Sequence, residues 1–324
     1  MRKVLAALLA LLMLAGFTGC GSQREPARAA LCMAGDSGIA AESAAELEAA
    51  LTAAGFQVQV LDAGNDQRRQ LEQLQELVED QYDVLVIQPV MAGASLEIAQ
   101  VLQSVKTGAI FIHREPEPEV LQSSEKLCFV GPDAAQWGKL QPQLLQQLPE
   151  LGDVNGDGQI SYVFLGGPEE DLDTQLRLAG CRELSAIEEK TLSCLEVCYG
   201  QWDRQSGMEM LKQQLAKYGK DIEVVFCADD DIATGALEAV EDGGRTAGQD
   251  IYLLGIDGQQ HAQVLIRSGE LSGTVALDLA FMAGTVTDLA QKLLAGKAVE
   301  DRYTVPCLLL TQENIDAHMD SHNG

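Results

Sequence analysis

Short apolar segments alternate with amphipathic segments of helical period along most of the chain, and this alternation constrains the fold more than any other feature. The apolar segments are rich in β-branched residues, and the segments between them place apolar residues three and four positions apart. Repeated strand–helix units force parallel sheets with right-handed crossovers. Strands are predicted at residues 29–33, 57–61, 83–87, 109–112, 128–130, 160–165, 192–198, 224–227, 251–256 and 273–276.

Ten strands in 324 residues predict an α/β fold with two doubly wound parallel-sheet domains. In open sheets of this kind, ligands bind beyond the carboxyl ends of the strands. The residues that follow the predicted strands are polar or acidic, and they contain no evident nucleophile–base pair. These candidate positions are Gly35-Asp36-Ser37, Gln88, His113-Arg114-Glu115, Asp171-Leu172-Asp173, Trp202-Asp203, Asp229-Asp230-Asp231 and Asp257.

The first twenty residues have the layout of an export signal. Two basic residues precede an apolar run at positions 4–17, which is too short to cross a bilayer core of ~30 Å. The segment Phe17-Thr18-Gly19-Cys20 resembles a bacterial lipobox, which implies a lipoprotein signal peptide over residues 1–20 and lipidation of Cys20. A plain secretory peptide that is cleaved nearby is the alternative. Residues 21–29 are predicted to form a tether.

The formal net charge of -27 argues against nucleic acid and anionic membrane surfaces as partners. We therefore expect contact with a membrane only through the lipid anchor. The seven cysteines beyond Cys20 are odd in number and have no metal-binding spacing. Most lie in apolar runs and are expected to be free thiols, and Cys194 with Cys198 is the one nearby pair.

The segment Asp153-Val154-Asn155-Gly156-Asp157-Gly158-Gln159-Ile160-Ser161 has the spacing of a calcium-binding loop. Oxygen-bearing residues occupy alternate positions, and a glycine occupies the sixth position. Phe164 stands where an EF-hand has its last glutamate, so the final ligand must come from elsewhere. A turn without metal is the alternative.

Several segments, in order, resemble the periplasmic galactose/glucose-binding proteins, which are type I periplasmic solute-binding proteins of sugar ABC transporters. The resemblance covers residues from about 31 to 311 and implies two lobes joined by a three-segment hinge. We predict a first lobe of residues 30–112 and 278–306, and a second lobe of residues 113–277 and 307–324. The matching segments are Asn65-Asp66-Gln67, Phe111-Ile112-His113-Arg114-Glu115-Pro116, Val130-Gly131-Pro132-Asp133, the loop at 153–161, Trp202-Asp203, Ile222-Glu223-Val224-Val225, Gly255-Ile256-Asp257 and Ser268-Gly269-Glu270-Leu271-Ser272-Gly273-Thr274-Val275.

The same resemblance implies a structural Ca²⁺ in the second lobe. The family completes its calcium loop with a distant glutamate, which corresponds to Glu223 here. The family usually has Gln where Ser161 stands, so the shorter Ser161 is expected to reach the ion through water. The implied ligands are Asp153, Asn155, Asp157, the backbone carbonyl of Gln159, Ser161 and Glu223.

The resemblance also implies a sugar site. Trp202 matches a tryptophan that stacks on the sugar ring, whereas Asp173, Arg177 and Asp257 match residues that bind hydroxyl groups. Other positions depart from the family: Leu277 stands at an Asn position, and Ile39 is the nearest equivalent of a Phe. The remaining implied ligand-binding residues are Asp36, Gln88 in place of Asn, Asp171 in place of His, and Asp229 or its neighbour Asp230 in place of Asn.

The resemblance thus implies an extracytoplasmic, lipid-anchored binding protein of a sugar ABC importer. It is expected to close over a monosaccharide or polyol and to dock on the transporter permease, with a chemoreceptor as a further possible partner. A sugar sensor that is coupled to a receptor without transport is one alternative. Another is a secreted esterase with Gly35-Asp36-Ser37 as its nucleophile block, but no Asp–His pair has the neighbours that such an enzyme needs. We therefore expect no enzymatic activity.

Overall fold

The structure, a computed structural model, describes residues 25–102 and 107–322. The predicted signal peptide, Cys20 and residues 21–24 of the predicted tether lie outside the described residues. Within the described ranges, no helix combines the length and apolar composition that a bilayer-spanning segment requires. All seven cysteines that the structure describes are free thiols.

The first sheet has six strands, all of them parallel. The order across the sheet is β12-β5-β4-β3-β1-β2. The strands are β1 (Arg28–Met33), β2 (Gln57–Asp62), β3 (Val84–Ile87), β4 (Gly108–Ile112), β5 (Leu127–Gly131) and β12 (Arg302–Thr304). The helices of this lobe are α1 (Gly38–Ala53), α2 (Gln67–Glu79), α3 (Ser95–Leu102), α4 (Pro118–Leu121) and α10 (Leu279–Leu294), with a 3₁₀ turn at Ala92–Ala94.

The second sheet has seven strands in the order β13-β11-β10-β9-β6-β8-β7, and only its edge strands β7 and β13 are antiparallel. The strands are β6 (Gln159–Gly166), β7 (Ala186–Ile187), β8 (Lys190–Tyr199), β9 (Val224–Cys227), β10 (Tyr252–Asp257), β11 (Gly273–Leu277) and β13 (Cys307–Thr311). The helices are α5 (Ala134–Leu140), α6 (Leu172–Glu183), α7 (Arg204–Tyr218), α8 (Asp230–Asp242), α9 (Gln260–Ser268) and α11 (Ile315–His322). The 3₁₀ segments are Gln141–Gln147, Pro149–Gly152 and Gly219–Asp221.

The two sheets repeat one topology, and the predicted fold class is confirmed. The order β2-β1-β3-β4-β5 in the first sheet matches β8-β6-β9-β10-β11 in the second. The central strands are buried on both faces, because helices cover both sides of each parallel sheet. In each sheet the order reverses beside the first strand, and this switch point is where doubly wound sheets bind ligands.

Three short segments connect the lobes, at residues 132–133, 278 and 305–306. Hydrogen bonds tie these segments together: Val305 N donates to Gly131 O at 2.9 Å, and Asp278 N donates to Pro306 O at 3.4 Å. The predicted lobe boundary after residue 112 is wrong. The chain returns through the short helix α4 to form β5, which pairs with β4, so the first lobe continues to Gly131.

Helices α5 and α6 pack closely through two glycines. A Cβ on Gly138 would overlap the carbonyl of Arg177, and a Cβ on Gly180 would overlap the carbonyl of Ala135. Any larger residue would separate the helices. Since α6 carries Arg177 near its middle, this contact fixes the backbone position from which the Arg177 side chain extends.

Helices α7 and α8 pack in the same way. A Cβ on Gly207 would overlap the carbonyl of Ile232, and a Cβ on Gly235 would overlap the carbonyl of Arg204. Asp229 caps the start of α8, with its carboxylate accepting a hydrogen bond from Ile232 N at 2.7 Å. The glycine contact therefore holds the end of α8 that carries Asp229.

We expect Gly235→Ala to lower the free energy of unfolding by about 1 to 3 kcal/mol, because the new methyl group forces α7 and α8 apart. Gly284→Ala is the matched control, since Gly284 lies on the exposed face of α10 with open space around it. The control is expected to gain about 0.5 to 1 kcal/mol from helix propensity. Denaturant unfolding measures both, and equal stability of the two variants would contradict the proposed packing.

Candidate ligand-binding site

A cleft of about 1080 Å³ lies between the carboxyl ends of the two sheets. Its first-lobe wall includes Asn65, Gln88 and His113, each of which follows a strand of the first sheet. Its second-lobe wall includes the start of α6, the segment after β8, and the residues after β9 and β10. The cleft is therefore built where two switch points face each other.

Seven of the eight predicted ligand-binding residues line this cleft, and Asp36 does not. Asp36 is exposed, whereas its neighbours Ser37 and Ile39 line the cleft. The chain turns sharply at Gly38, where φ is 54°, and α1 begins at that residue, so the turn carries Asp36 away from the cleft. The seven lining residues are Gln88, Asp171, Asp173, Arg177, Trp202, Asp229 and Asp257.

The guanidinium of Arg177 lies at the base of the cleft between two indole rings. Its central carbon is 4.6 Å from the Trp137 ring centroid and 5.4 Å from the Trp202 ring centroid. One terminal nitrogen donates to the carbonyl of Ala228, and the other is 3.6 Å from Asp257 Oδ1. Arg177 is 8% exposed, so these cation–π and charge contacts act in a largely dry environment.

Trp202 is held in place from two sides. Its ring packs directly on Gly167, where a Cβ would overlap the indole, and its Nε1 donates to Asp171 Oδ2 at 3.4 Å. Asp171 is itself the N-cap of α6 and accepts from Asp173 N at 2.9 Å. Trp202 thus presents a fixed, half-buried aromatic surface to the cleft, which suits the apolar face of a sugar ring.

Two nearly buried carboxylates lie beside Arg177. Burial raises the pKa of Asp229 to about 7 and that of Asp257 to about 8, because a low-dielectric environment disfavours the charged form. Arg177 opposes both shifts but does not cancel them. Asp257 also has φ of 111°, an unusual value for a residue with a side chain. The cleft therefore holds acidic groups that an arriving ligand can ionise.

Asp230 is a buried aspartate beneath the cleft, and it positions the segment that follows β10. Its carboxylate accepts hydrogen bonds from Thr274 Oγ1 at 2.7 Å and from Gln259 N at 2.8 Å. A side chain on Gly255 would overlap Asp230, so the glycine is needed to admit the carboxylate. Asp230 links β11 to the segment after β10 and does not line the cleft itself. Of the two predicted alternatives, Asp229 is therefore the residue that lines the cleft.

The first-lobe wall depends on Gln70, which sequence reasoning missed. Gln70 Nε2 donates to the carbonyl of Gln88 at 2.7 Å, and its Oε1 accepts from Val90 N at 3.0 Å. Gln88 Oε1 in turn accepts from Ala34 N at 3.4 Å. Gln70 is completely buried on the face of α2 that carries Leu74. A polar residue in an apolar helix position was the signal that could have identified it.

His113 also lines the cleft; it is a candidate position because it follows a strand, but it is not one of the eight implied ligand-binding residues. Burial, together with the charges of Arg114 and Arg177, lowers the pKa of His113 to about 3, so its imidazole is neutral. Its Nε2 is 2.8 Å from Ser43 Oγ. The residue follows β4 with φ of 61°. A neutral imidazole can donate to or accept from a ligand hydroxyl without adding charge.

The lobes touch each other across the cleft. Arg114 of the first lobe has its Nε 3.8 Å from Asp173 Oδ2 of the second lobe. Glu42 of α1 accepts a hydrogen bond from Gln260 N of α9 at 2.9 Å. The structure is thus a closed arrangement in which both lobes enclose one cavity.

Ser37, the nucleophile of the esterase alternative, also lines the cleft. It precedes α1, and its hydroxyl makes no capping hydrogen bond. Within residues 25–102 and 107–322, no histidine or carboxylate forms a hydrogen bond with this hydroxyl. The pairing that activates a serine nucleophile is therefore missing from the described part of the chain.

The loop at residues 153–161 lies apart from the cleft and folds around its own oxygen atoms. Asp153 accepts from the backbone N–H groups of two glycines at 2.7 and 3.0 Å. Asn155 Oδ1 accepts from Asp157 N, and Asp157 Oδ1 accepts from Gln159 N, both at 2.8 Å. The alternating side chains thus converge on one loop, as their spacing predicts.

Glu223 meets this loop from the start of β9. It is fully buried, and its two carboxylate oxygens accept from Asn155 N at 3.0 Å and from Ser161 N at 2.8 Å. All six predicted calcium ligands are therefore in or beside one loop. Their donor atoms are all oxygens, which is the set that Ca²⁺ prefers.

Lys190 also contacts the loop, with its Nζ 2.9 Å from Asp153 Oδ2 and 3.6 Å from Glu150 Oε2. Across the described ranges, no three His, Cys, Asp or Glu side chains are grouped so as to hold a metal ion. The other expected donors are an amide oxygen, a carbonyl and a hydroxyl. The oxygen donors are of the kind that calcium prefers, but the three carboxylates among them are not grouped so as to hold an ion, and the calcium site stays a prediction.

The chain is similar in sequence to periplasmic binding proteins. Residues 32–298 match the sequence profile of the periplasmic binding protein domain family. A putative rhizopine-binding protein of Rhizobium meliloti is 26% identical over 271 residues, covering 82% of this chain and 83% of the relative. A D-galactose/methyl-galactoside binding periplasmic protein of Haemophilus influenzae is 29% identical over 253 residues, covering 76% of this chain and 75% of the relative.

Solved structures share the fold. An ABC transporter solute binding protein from Bacillus halodurans with bound myo-inositol superposes with a TM-score of 0.78 at 21% identity. The superposition covers 93% of this chain and 99% of that protein. The two-lobed fold is therefore shared over nearly the full length of both chains.

Proposed function

Because the chain belongs to the periplasmic binding protein domain family, we propose that it is the extracytoplasmic sugar-binding component of an ABC importer, which closes its two lobes over a monosaccharide or polyol. The relatives support this proposal, since their names specify galactose, ribose and xylitol as ligands. The observation that carries it is the cleft itself. Trp202, Arg177, Asp173 and Asp257 converge on one cavity between the lobes.

The cleft has the chemistry that sugar recognition requires. Trp202 offers an apolar surface for the C–H face of a sugar ring. Carboxylates and the amide of Gln88 would surround that ring with hydrogen-bonding groups. Contacts from both lobes would favour the closed form over an open one, because a ligand stabilises the state that it binds better. The closed form would then dock on a permease.

The same geometry argues for binding without catalysis. Ser37 has no activating partner in the described ranges, and the family consists of solute-binding proteins. Coupling to a chemoreceptor, with or without transport, would use the same closure. We propose transport as the principal role because the solved relatives are ABC transporter proteins.

We expect Trp202→Ala to weaken the binding of a panel sugar by about 2 kcal/mol, or roughly thirtyfold, because the ring loses its stacking surface. The panel is galactose, glucose, ribose, xylitol and myo-inositol, first screened by thermal shift and then titrated calorimetrically. Tyr199→Ala is the matched control, since Tyr199 is an exposed aromatic residue outside the cleft. Unchanged affinity in Trp202→Ala, or an equal loss in both variants, would contradict the proposed site.

We also propose that Cys20 carries a lipid anchor, on the basis of the segment Phe17-Thr18-Gly19-Cys20. The mature chain is then expected in the membrane fraction, with an acylated Cys20 as its first residue in intact-mass analysis. Cys20→Ser should move the chain to the soluble fraction. A wild-type chain that begins elsewhere, or that lacks the acyl mass, would refute the anchor.

Calcium binding at the loop of residues 153–161 is a further part of the proposal. The predicted ligands would hold the ion, and bound Ca²⁺ would neutralise carboxylates and stabilise the second lobe. Asp153, Asn155, Asp157 and Glu223 are already gathered there by backbone hydrogen bonds.

We expect calcium to raise the melting temperature of the demetallated protein. Preferential binding to the folded state contributes about 2.7 kcal/mol when free calcium is 100 times the Kd. Asp157→Asn and Glu223→Gln should reduce this calcium-dependent shift, whereas Asp288→Asn, which changes an exposed acid on α10, should retain it. A wild-type melting temperature that does not respond to calcium would rule out the site.

A further inference from the structure

The cleft has far more acidic than basic groups. Ten aspartate and glutamate residues line it, against two arginines and no lysine. His113 adds no positive charge, because burial and the neighbouring arginines lower its pKa to about 3. A cavity with this composition carries a strongly negative potential, which is focused further by its low-dielectric walls.

Both arginines are already engaged by the protein. Arg114 donates to the carbonyls of Pro89 and Val90 and lies 3.8 Å from Asp173. Arg177 donates to the carbonyl of Ala228 and pairs with Asp257. The two cations therefore compensate Asp173 and Asp257. Of the other cleft carboxylates, Glu115 pairs with Arg302 and Asp231 lies 3.8 Å from His261, whereas Asp229 forms no ion pair within the part of the chain that the structure describes.

Asp229 is the cleft carboxylate most affected by this shortage of cations. It is 6% exposed, and its Oδ1 accepts the capping hydrogen bond from Ile232 N. Its Oδ2 has no hydrogen-bond or ion-pair partner in the part of the chain that the structure describes, although the residue lines the cleft. Asp229 is thus a nearly buried acceptor that faces the ligand space with one oxygen unused.

The surroundings of Asp229 are mostly acidic. Asp203, Asp231 and Asp257 act on it as like charges, and Arg177 opposes them. A buried carboxylate is stable in its charged form only when it is paired and hydrogen-bonded. The site is therefore short of one positive charge at this position.

The geometry points to a ligand that carries a protonated amine on a polyhydroxylated ring, an amino sugar or an amino cyclitol, with its ammonium group on Asp229 Oδ2 and its ring against Trp202. This inference rests on the proposed function, because it names the ligand class of the same cleft. An ammonium group supplies both the missing charge and three hydrogen-bond donors to the acidic cluster. A hydroxyl group at the same place would supply one donor and leave the charge uncompensated.

The test compares ligands that differ only in one amino group. Glucose, galactose and mannose are titrated calorimetrically against glucosamine, galactosamine and mannosamine, and myo-inositol against an aminodeoxy-inositol. At least one amine is expected to bind about tenfold or more tightly than its hydroxyl partner, because charge-assisted hydrogen bonds are the stronger ones. Neutral sugars that bind as tightly as their amines would overturn this inference and leave the proposed function standing. Binding of neither class would overturn both.

Asp229→Asn separates the charge from the shape of the site. The variant keeps an oxygen that can cap α8, and it should lower the affinity for the preferred amine about tenfold or more while the affinity for its neutral partner falls less. Asp288→Asn, on the exposed face of α10, is the control for a general change in net charge. An equal loss for amine and neutral ligand in Asp229→Asn would contradict a charge-specific contact.

The pH dependence of binding provides a second readout. Burial raises the pKa of Asp229 to about 7, so an ammonium group must displace a proton from it in acid. The affinity for the amine should therefore rise from about pH 5.5 to about pH 7.5, with proton release on binding in the lower half of this range. The neutral partner should show less of this rise, and Asp229→Asn should reduce it for the amine. The same pH dependence for amine and neutral ligands would refute the contact.

Discussion

The position of the Arg177 guanidinium is the constraint on which the rest of the site depends. It lies between the Trp137 and Trp202 rings, donates to Ala228 and pairs with Asp257. A nearly buried cation needs such contacts to offset its loss of hydration. The close glycine packing of α5 on α6 fixes the backbone position of Arg177. The second lobe therefore presents a rigid surface to any ligand that enters the cleft.

The closed arrangement extends this constraint across the cleft. The ion pair of Arg114 with Asp173 and the hydrogen bond of Gln260 with Glu42 join the lobes through polar contacts at the cleft margin. Contacts of this kind contribute little when they are partly exposed. An opening motion about the three bonded hinge segments would therefore break few strong interactions, and a ligand held by both walls could shift the balance between open and closed forms.

The positions of ten strands along the chain and most of the candidate site could be predicted from the sequence, because parallel strands bring their carboxyl ends to one edge. This reasoning placed Trp202, Asp173 and Asp257 together although they are far apart in the chain. It failed for Asp36, where a single turn at Gly38 decides which neighbour faces the cleft. Periodicity records which residues are apolar, but not the path of a turn.

Three further misses also depend on tertiary structure. The lobe boundary after residue 112 was wrong although the strand at residues 128–130 was predicted, because periodicity locates a strand without showing which sheet it joins. The helical period of residues 134–147 predicts one continuous α-helix, but the α-helix ends at Leu140 and continues as a 3₁₀ segment, in which Pro142 lacks a backbone donor. Gln70 acts through buried hydrogen bonds that depend on tertiary contacts.

A crystal structure of the protein with the tightest-binding ligand from the paired panel would test the account most directly. It should show the ligand between the two sheets, with its ring on Trp202 and with contacts to Asp173, Arg177 or Asp257 from one lobe and to Gln88 or His113 from the other. A ligand bound outside this cleft, or held by one lobe alone, would contradict the account.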